Sequence, residues 1–262
     1  MGSKIANKML LGGAALIALG TASMAADMPV KAPAFRPAAT YNWTGFFTGS
    51  SIGGQSWDIS GIYATPPNDR HNTEGTKGIY GSHIGAQYQV NSWVLGVEAA
   101  FTSPFDRAAT SSFSPNVVTP GADCLGATPF PDRRCSSRVN SVWTVGGRLG
   151  YTWDRWMVFG SGGYANGRVD TAVNVASTGA PTSATSARQD GWFAGAGAEY
   201  FVTKFLWSDL ILGAEYQHID LGTARHLDNL TGSPLNTRDM KATEDLARAR
   251  VILKWTPDLP AR

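Results

Sequence analysis

Residues 246–255 read LARARVILKW. In an extended chain, successive side chains point to opposite faces. Ala247, Ala249, Val251, Leu253 and Trp255 then share a face without charge, while Arg248, Arg250, Ile252 and Lys254 share the other. A helix would mix the two sets around its circumference, so the pattern argues for a strand. Two questions follow: what apolar medium meets the first face, and which anions meet the three cations of the second.

The same alternation recurs upstream. Strand one opens at Asn42-Trp43-Thr44-Gly45-Phe46-Phe47 and runs to about Trp57. Strand two (about 78–90) sets Tyr80, Ile84, Ala86, Tyr88 and Val90 against His83, Gln87 and Gln89. Strand three sets Trp93, Leu95, Val97, Ala99 and Phe101 against Glu98. Strand four (about 137–153) groups Val139, Trp143, Val145, Leu149, Tyr151 and Trp153, opposed by Arg138, Asn140, Thr144 and Arg148. Strand six sets Trp192, Ala194, Ala196, Ala198 and Tyr200 against Gly195, Gly197 and Glu199, and strand seven sets Leu210, Leu212, Ala214 and Tyr216 against Glu215 and Gln217. Strand five (about 156–175) is glycine-rich, and strands one and five leave their facing open.

Eight strands emerge. Their connections alternate between short turns, near Asn91-Ser92, Asp154-Arg155 and Thr203-Lys204, and polar loops over 58–75, 104–136, 176–187 and 222–242. All the long loops leave from one end. Aromatic residues gather at the other, with Trp43, Trp93, Trp153, Trp156, Trp207 and Trp255 as the expected girdle. Segregated loops and an aromatic girdle are the marks of a bacterial outer-membrane barrel.

A secreted soluble barrel with an apolar interior would show the same periodicity. The polar faces argue against it. They carry few charges and many glycines (Gly81, Gly85, Gly96, Gly146, Gly150, Gly195, Gly197, Gly213), whereas solvated surfaces are rich in Lys and Glu. Glycines in a narrow lumen leave room for a few large ionic side chains. Glu98, Glu199 and Glu215 are the expected anions there, and Arg148, Arg248, Arg250 and Lys254 the cations. An eight-stranded barrel is only wide enough for its side chains to fill it, and enclosed charges must pair. The fold expected is an all-β, eight-stranded antiparallel up-and-down transmembrane barrel with a filled lumen.

Of 262 residues only 16% are charged. Lys4 and Lys8 precede an apolar run over 9–19 and the small residues around Ala25, the pattern of an export signal cleaved after Ala25. The run is too short to serve comfortably as a membrane anchor. Residues 1–25 then form the signal, 26–41 a Pro/Ala-rich segment, 42–255 the barrel and 256–262 a tail. Losing residues 1–25 removes two lysines and no acid, leaving 20 bases against 20 acids. Such a balance gives no reason to expect a nucleic-acid partner. Cys124 and Cys135, eleven positions apart in the longest loop, suit a local disulfide in an exported chain.

The opening motif, the repeated Leu95-Gly96-Val97-Glu98, Ala196-Gly197-Ala198-Glu199 and Leu212-Gly213-Ala214-Glu215, and Gly147-Arg148-Leu149-Gly150-Tyr151 resemble the small outer-membrane β-barrel family of α-proteobacteria. The leader around Met24-Ala25-Ala26-Asp27-Met28-Pro29 is similar to theirs as well. The family is also labelled "porin family" or OmpA-like, and it includes surface antigens and haemin-binding proteins. The function expected is a structural, envelope-integrity role with surface-exposed loops, with the barrel-assembly machinery and outer-membrane lipid or lipopolysaccharide as partners. A small-solute pore is the alternative, and haemin binding, found in some members of the family, is another. In the family the chain typically stops at the final aromatic; here Trp255 holds that place and seven residues follow.

No nucleophile–base–acid spacing accompanies His71, His83, His218 or His226, so no enzyme is expected. No metal site and no resident cofactor are expected either. His71 and His226, read as loop residues, are the candidates should haem bind, since ligation needs only one or two imidazoles.

Overall fold

The computed structural model describes residues 41–63, 70–106, 133–175, 178, 180–227 and 237–256. Eight antiparallel strands close into a barrel in chain order: β1 (Gly45–Tyr63), β2 (Arg70–Val90), β3 (Trp93–Pro104), β4 (Arg133–Trp153), β5 (Trp156–Val175), β6 (Pro181–Phe205), β7 (Ser208–His226) and β8 (Arg238–Trp255). The export signal, the Pro/Ala-rich segment to residue 40, Cys124 and the tail beyond Thr256 lie outside the described residues, as does the side chain of Cys135.

The register gives the barrel its tilt. From Thr48 the pairing passes through Ile84, Ala99, Val145, Tyr164, Trp192, Asp220 and Thr243 and returns to β1 at Asp58, ten positions further on. A stagger of that size over eight strands tilts them by about 40° from the axis.

Alternation places the residues read as apolar on the outside. Ala247, Ala249, Val251 and Trp255 face out, while Arg248, Arg250, Ile252 and Lys254 are buried inside. The open questions on strands one and five are also resolved. Phe46 and Ile52 face out and Phe47 in; Trp156, Val158 and Tyr164 face out, with Met157, Phe159 and Ala165 inside. Outward aromatic residues stand eight positions apart on five successive strands: Tyr80/Tyr88, Trp93/Phe101, Trp143/Tyr151, Trp156/Tyr164 and Trp192/Tyr200. Eight residues at a 40° tilt span roughly 20 Å, close to the apolar height of outer-membrane barrels. Two aromatic rings therefore bound the band, and between them no outward residue is charged.

Four expectations need correction. Trp43 belongs to no outer girdle, because it is fully buried in the lower end of the barrel. Val139 also faces inward, and Arg138 and Asn140 outward, because the β4–β5 register shifts between Val139 and Ser141, and one extra residue exchanges the faces beyond it. The β6–β7 turn is Leu206-Trp207 rather than Thr203-Lys204, since pairing continues to Phe205↔Ser208. Finally, the strands run several residues past the limits read from hydrophobicity, into segments whose outward faces are polar. Pairing needs only backbone groups, so it outlasts the apolar pattern.

Val97 lies between the rings on β3. Val97→Arg should cost about 2–4 kcal/mol of stability in vesicles, the cost of a cation near the bilayer midplane. Glu74→Arg, beyond the ring on β2, should leave the urea midpoint within experimental scatter. Equal midpoints for the two variants would remove hydrocarbon from this face.

Candidate functional site

The inward face of β8 passes through every layer of the interior. From the short-turn end it presents Lys254, Ile252, Arg250, Arg248, Leu246, Glu244, Ala242, Met240 and Arg238, all buried. This order reads as floor, apolar layer, ionic layer, second apolar layer and polar mouth.

At the floor Lys254 donates to the backbone carbonyls of Asn42 (2.8 Å) and Thr44 (3.2 Å) and pairs with Asp209 at 3.2 Å. Tyr41 donates to the same Asp209 carboxylate at 2.7 Å and stacks on Phe201, with ring centroids 4.1 Å apart. Trp43, Phe47, Val94, Met157, Phe159, Ile211 and Ile252 pack above them.

The ionic layer is a chain of alternating acids and bases: Glu199, Arg148, Glu98, Arg250, Glu215, Arg248. Arg148 reaches Glu199 at 2.7 Å and Glu98 at 3.2 Å; Arg250 reaches Glu98 at 2.7 Å and Glu215 at 2.5 Å; Arg248 reaches Glu215 at 2.9 Å. Three acids meet three bases, so the layer is formally neutral. Ser161 and Gln217 donate to the remaining oxygen of Glu215. The Arg148 guanidinium lies 4.1 Å from the centroid of Phe159 and 5.3 Å from that of Phe47, which adds cation–π attraction. Room for these groups comes from glycine. A Cβ on Gly213 would stand 2.9 Å from Cγ of Glu199, and one on Gly85 would stand 2.3 Å from the Phe47 ring.

Of the seven residues expected to share the lumen charge, six form this chain. Lys254 is inward too, but it sits a layer lower with Asp209, a partner absent from the sequence reading. His83 is inward and buried as expected.

Above the ionic layer the interior becomes apolar again, with Trp57, Ile59, Ile79, Val142, Phe193, Leu221 and Met240 in one cluster. Glu244 faces into this region, directly across from Trp57 and Ile219, and neither carboxyl oxygen has a hydrogen-bond partner. The outward residues around it, Asp58, Asp220 and Asp245, are polar, so Glu244 lies beyond the apolar band. Burial, and then the nearby charge of Asp245, push its carboxyl up to about 8.

His226 is not the loop residue expected. β7 extends to it, and its ring is fully buried at the mouth, 2.8 Å from Gln189 and 3.3 Å from Thr185. Burial, and then Arg238, lower its pKa to about 4, so the imidazole is neutral and already engaged. His71 lies in β2, and its side chain is outside the described part.

A closed ring of eight strands with an uncharged outer band can be compared with known proteins. Residues 13–244 match the family model described as the outer membrane protein beta-barrel domain. The chain belongs to this outer-membrane β-barrel family. It is 31% identical over 217 residues to the 31 kDa outer-membrane immunogenic protein of Brucella melitensis biotype 1, covering 79% of this chain and 85% of that protein. The protein of the same description from Brucella suis biovar 1 gives the same figures. Similar solved structures include the outer membrane protein AlkL in DMPC bilayers (11% identity, TM-score 0.42, 91% of this chain and all of that one). Another is Ail of Yersinia pestis (12% identity, TM-score 0.34, 80% and 99%). The chain is an outer-membrane protein related to an outer-membrane immunogenic protein.

Two measurements test the layers. Glu215→Ala leaves the buried Arg248 and half of Arg250 unpaired and should cost about 3–5 kcal/mol, read as a lower urea midpoint in vesicles. Between about pH 4.5 and 8 the folded barrel holds a Glu244 proton that the unfolded chain has released, so stability falls as pH rises through that window. Glu244→Gln should abolish this slope. A wild-type midpoint that stays flat with pH would show the carboxyl to be solvated.

Proposed function

We propose that this outer-membrane barrel is a non-catalytic structural element of the envelope. Its interior is closed to solutes, and its polar strand extensions and loops are presented at the cell surface. The observation that carries the reading is the stacked interior: a neutral six-membered ionic chain between two apolar clusters, with its arginines and Glu199 and Glu215 almost wholly buried. A conducting barrel needs a continuous wetted path along its axis. Two successive apolar layers oppose one, because water gains few hydrogen bonds there.

The small-solute pore and the haemin-binding surface are the competing readings. The buried, hydrogen-bonded ring of His226 lends the second no support. Lipid of the outer membrane is the natural neighbour of the uncharged band.

Planar-bilayer recording of the refolded chain tests closure. The wild type should give no steady single-channel steps, whereas a Glu98→Ala/Glu215→Ala double variant, with its ionic chain cut twice, should leak. Ohmic conductance from the wild type at neutral pH would replace the closed reading with the pore.

A further inference from the structure

Beyond the outer aromatic ring the outward charges are unevenly distributed around the barrel. β1 and β2 present Asp58 opposite Glu74. β4, β5 and β6 present three arginines, Arg138, Arg168 and Arg188. Arg168 and Arg188 are directly opposed across the β5–β6 pair, both exposed on the outer face. Like charges at such positions repel. Arg138 is the next base along, across the β4–β5 pair from Asp170.

Among the described residues the neighbouring acids are one fewer than the bases. Asp170 is divided between Arg138 (3.0 Å), Arg168 (3.4 Å) and Asn140. Asp190, two positions from Arg188 on the same face, accepts from the Tyr164 hydroxyl and from Asn166 at 2.7 Å. Among the described residues three guanidiniums therefore face two carboxylates, and Arg188 has no acid within ion-pair distance.

Height supplies the second observation. Arg168 and Arg188 each stand four positions beyond a ring residue, Tyr164 and Trp192. Four residues at this tilt are about 10 Å, which places the guanidiniums in the polar headgroup layer above the hydrocarbon. A guanidinium offers paired N–H donors that match two phosphate oxygens, and it keeps its charge at any physiological pH.

We propose that Arg168 and Arg188, supported by Arg138, form a phosphate-binding site for an anionic lipid headgroup of the outer leaflet. A phosphate seated between the opposed guanidiniums removes their repulsion and fixes one lipid against the Tyr164–Trp192 part of the aromatic ring. Among the described residues β1 and β2 present Asp58 and Glu74 at the outer face instead, so the barrel meets its lipid shell asymmetrically. This site does not depend on whether the lumen is closed.

Full-length protein in phosphatidylcholine nanodiscs, titrated with bisphosphorylated lipid A and followed by native mass spectrometry, tests the site. The wild type should retain the lipid. Arg168→Gln/Arg188→Gln should weaken retention roughly tenfold to thirtyfold, the worth of two interfacial cations. Arg168→Lys/Arg188→Lys should recover part of it, and Arg225→Gln, on the β7 face beside Asp239, should change nothing. Dephosphorylated lipid A and inorganic phosphate complete the comparison. Equal retention of the dephosphorylated lipid, or unchanged retention by the double Gln variant, overturns the site. Saturation by inorganic phosphate at concentrations that fully displace the lipid would assign it to free phosphate instead. Heat-modifiable migration on a gel confirms that each variant is folded before it is scored.

Discussion

Hydrocarbon offers no hydrogen bonds, and everything else in this molecule follows from that. A sheet in such a medium has to close on itself, because an open edge would leave a row of amides and carbonyls without partners. Closure with eight strands gives a cylinder too narrow to hold bulk water, so the inward residues must satisfy one another. The alternating acids and bases around Arg148, Arg250 and Arg248 answer that requirement for charge, and the apolar clusters above and below answer it by exclusion.

The layering also separates two kinds of buried charge. The ionic chain is enclosed but charge-paired, each carboxylate meeting at least one guanidinium even though Nε of Arg148 and of Arg250 has no hydrogen-bond partner, so it is expensive to interrupt. Glu244 is the opposite case, an acid in an apolar setting whose oxygens have no donors. Its neutral form is compatible with the packing, and its ionised form is not. One strand, β8, contributes to both, with Glu244 four positions from Arg248 and six from Arg250.

How much of this could be read in advance depends on what each feature obeys. Period-two alternation is a backbone property, so the outward faces of β2, β3, β6, β7 and β8, and the inward Glu98, Glu199, Glu215, Arg148, Arg248 and Arg250, were visible in the chain alone. Val139 lies inside against the alternation, because a one-residue bulge leaves no compositional trace yet exchanges the two faces beyond it. Trp43 is ambiguous in the sequence because an indole suits an interface and a plug equally well. The eight-residue spacing of Tyr80/Tyr88 or Trp143/Tyr151 was present in the sequence and would have revealed the outer ring. Extending the alternation of β8 back past Leu246 would have placed Glu244 inside. Its isolation, like the ring contacts of His226, depends on which strands lie across the lumen, and no local pattern encodes that.

Seven of the eight strand pairings join neighbours along the chain, and only β1 with β8 brings distant segments together. That seam gathers residues some two hundred positions apart, the longest separation any pairing in the barrel bridges, at an entropic cost that grows only slowly with loop length. Lys254 sits on the seam, and its ammonium group holds the carbonyl of Asn42, 212 positions away. A curled but unclosed sheet could form through its hairpins alone. The ammonium can take hold only when the first and last strands have met, which makes it a clasp that distinguishes a finished cylinder from an open one.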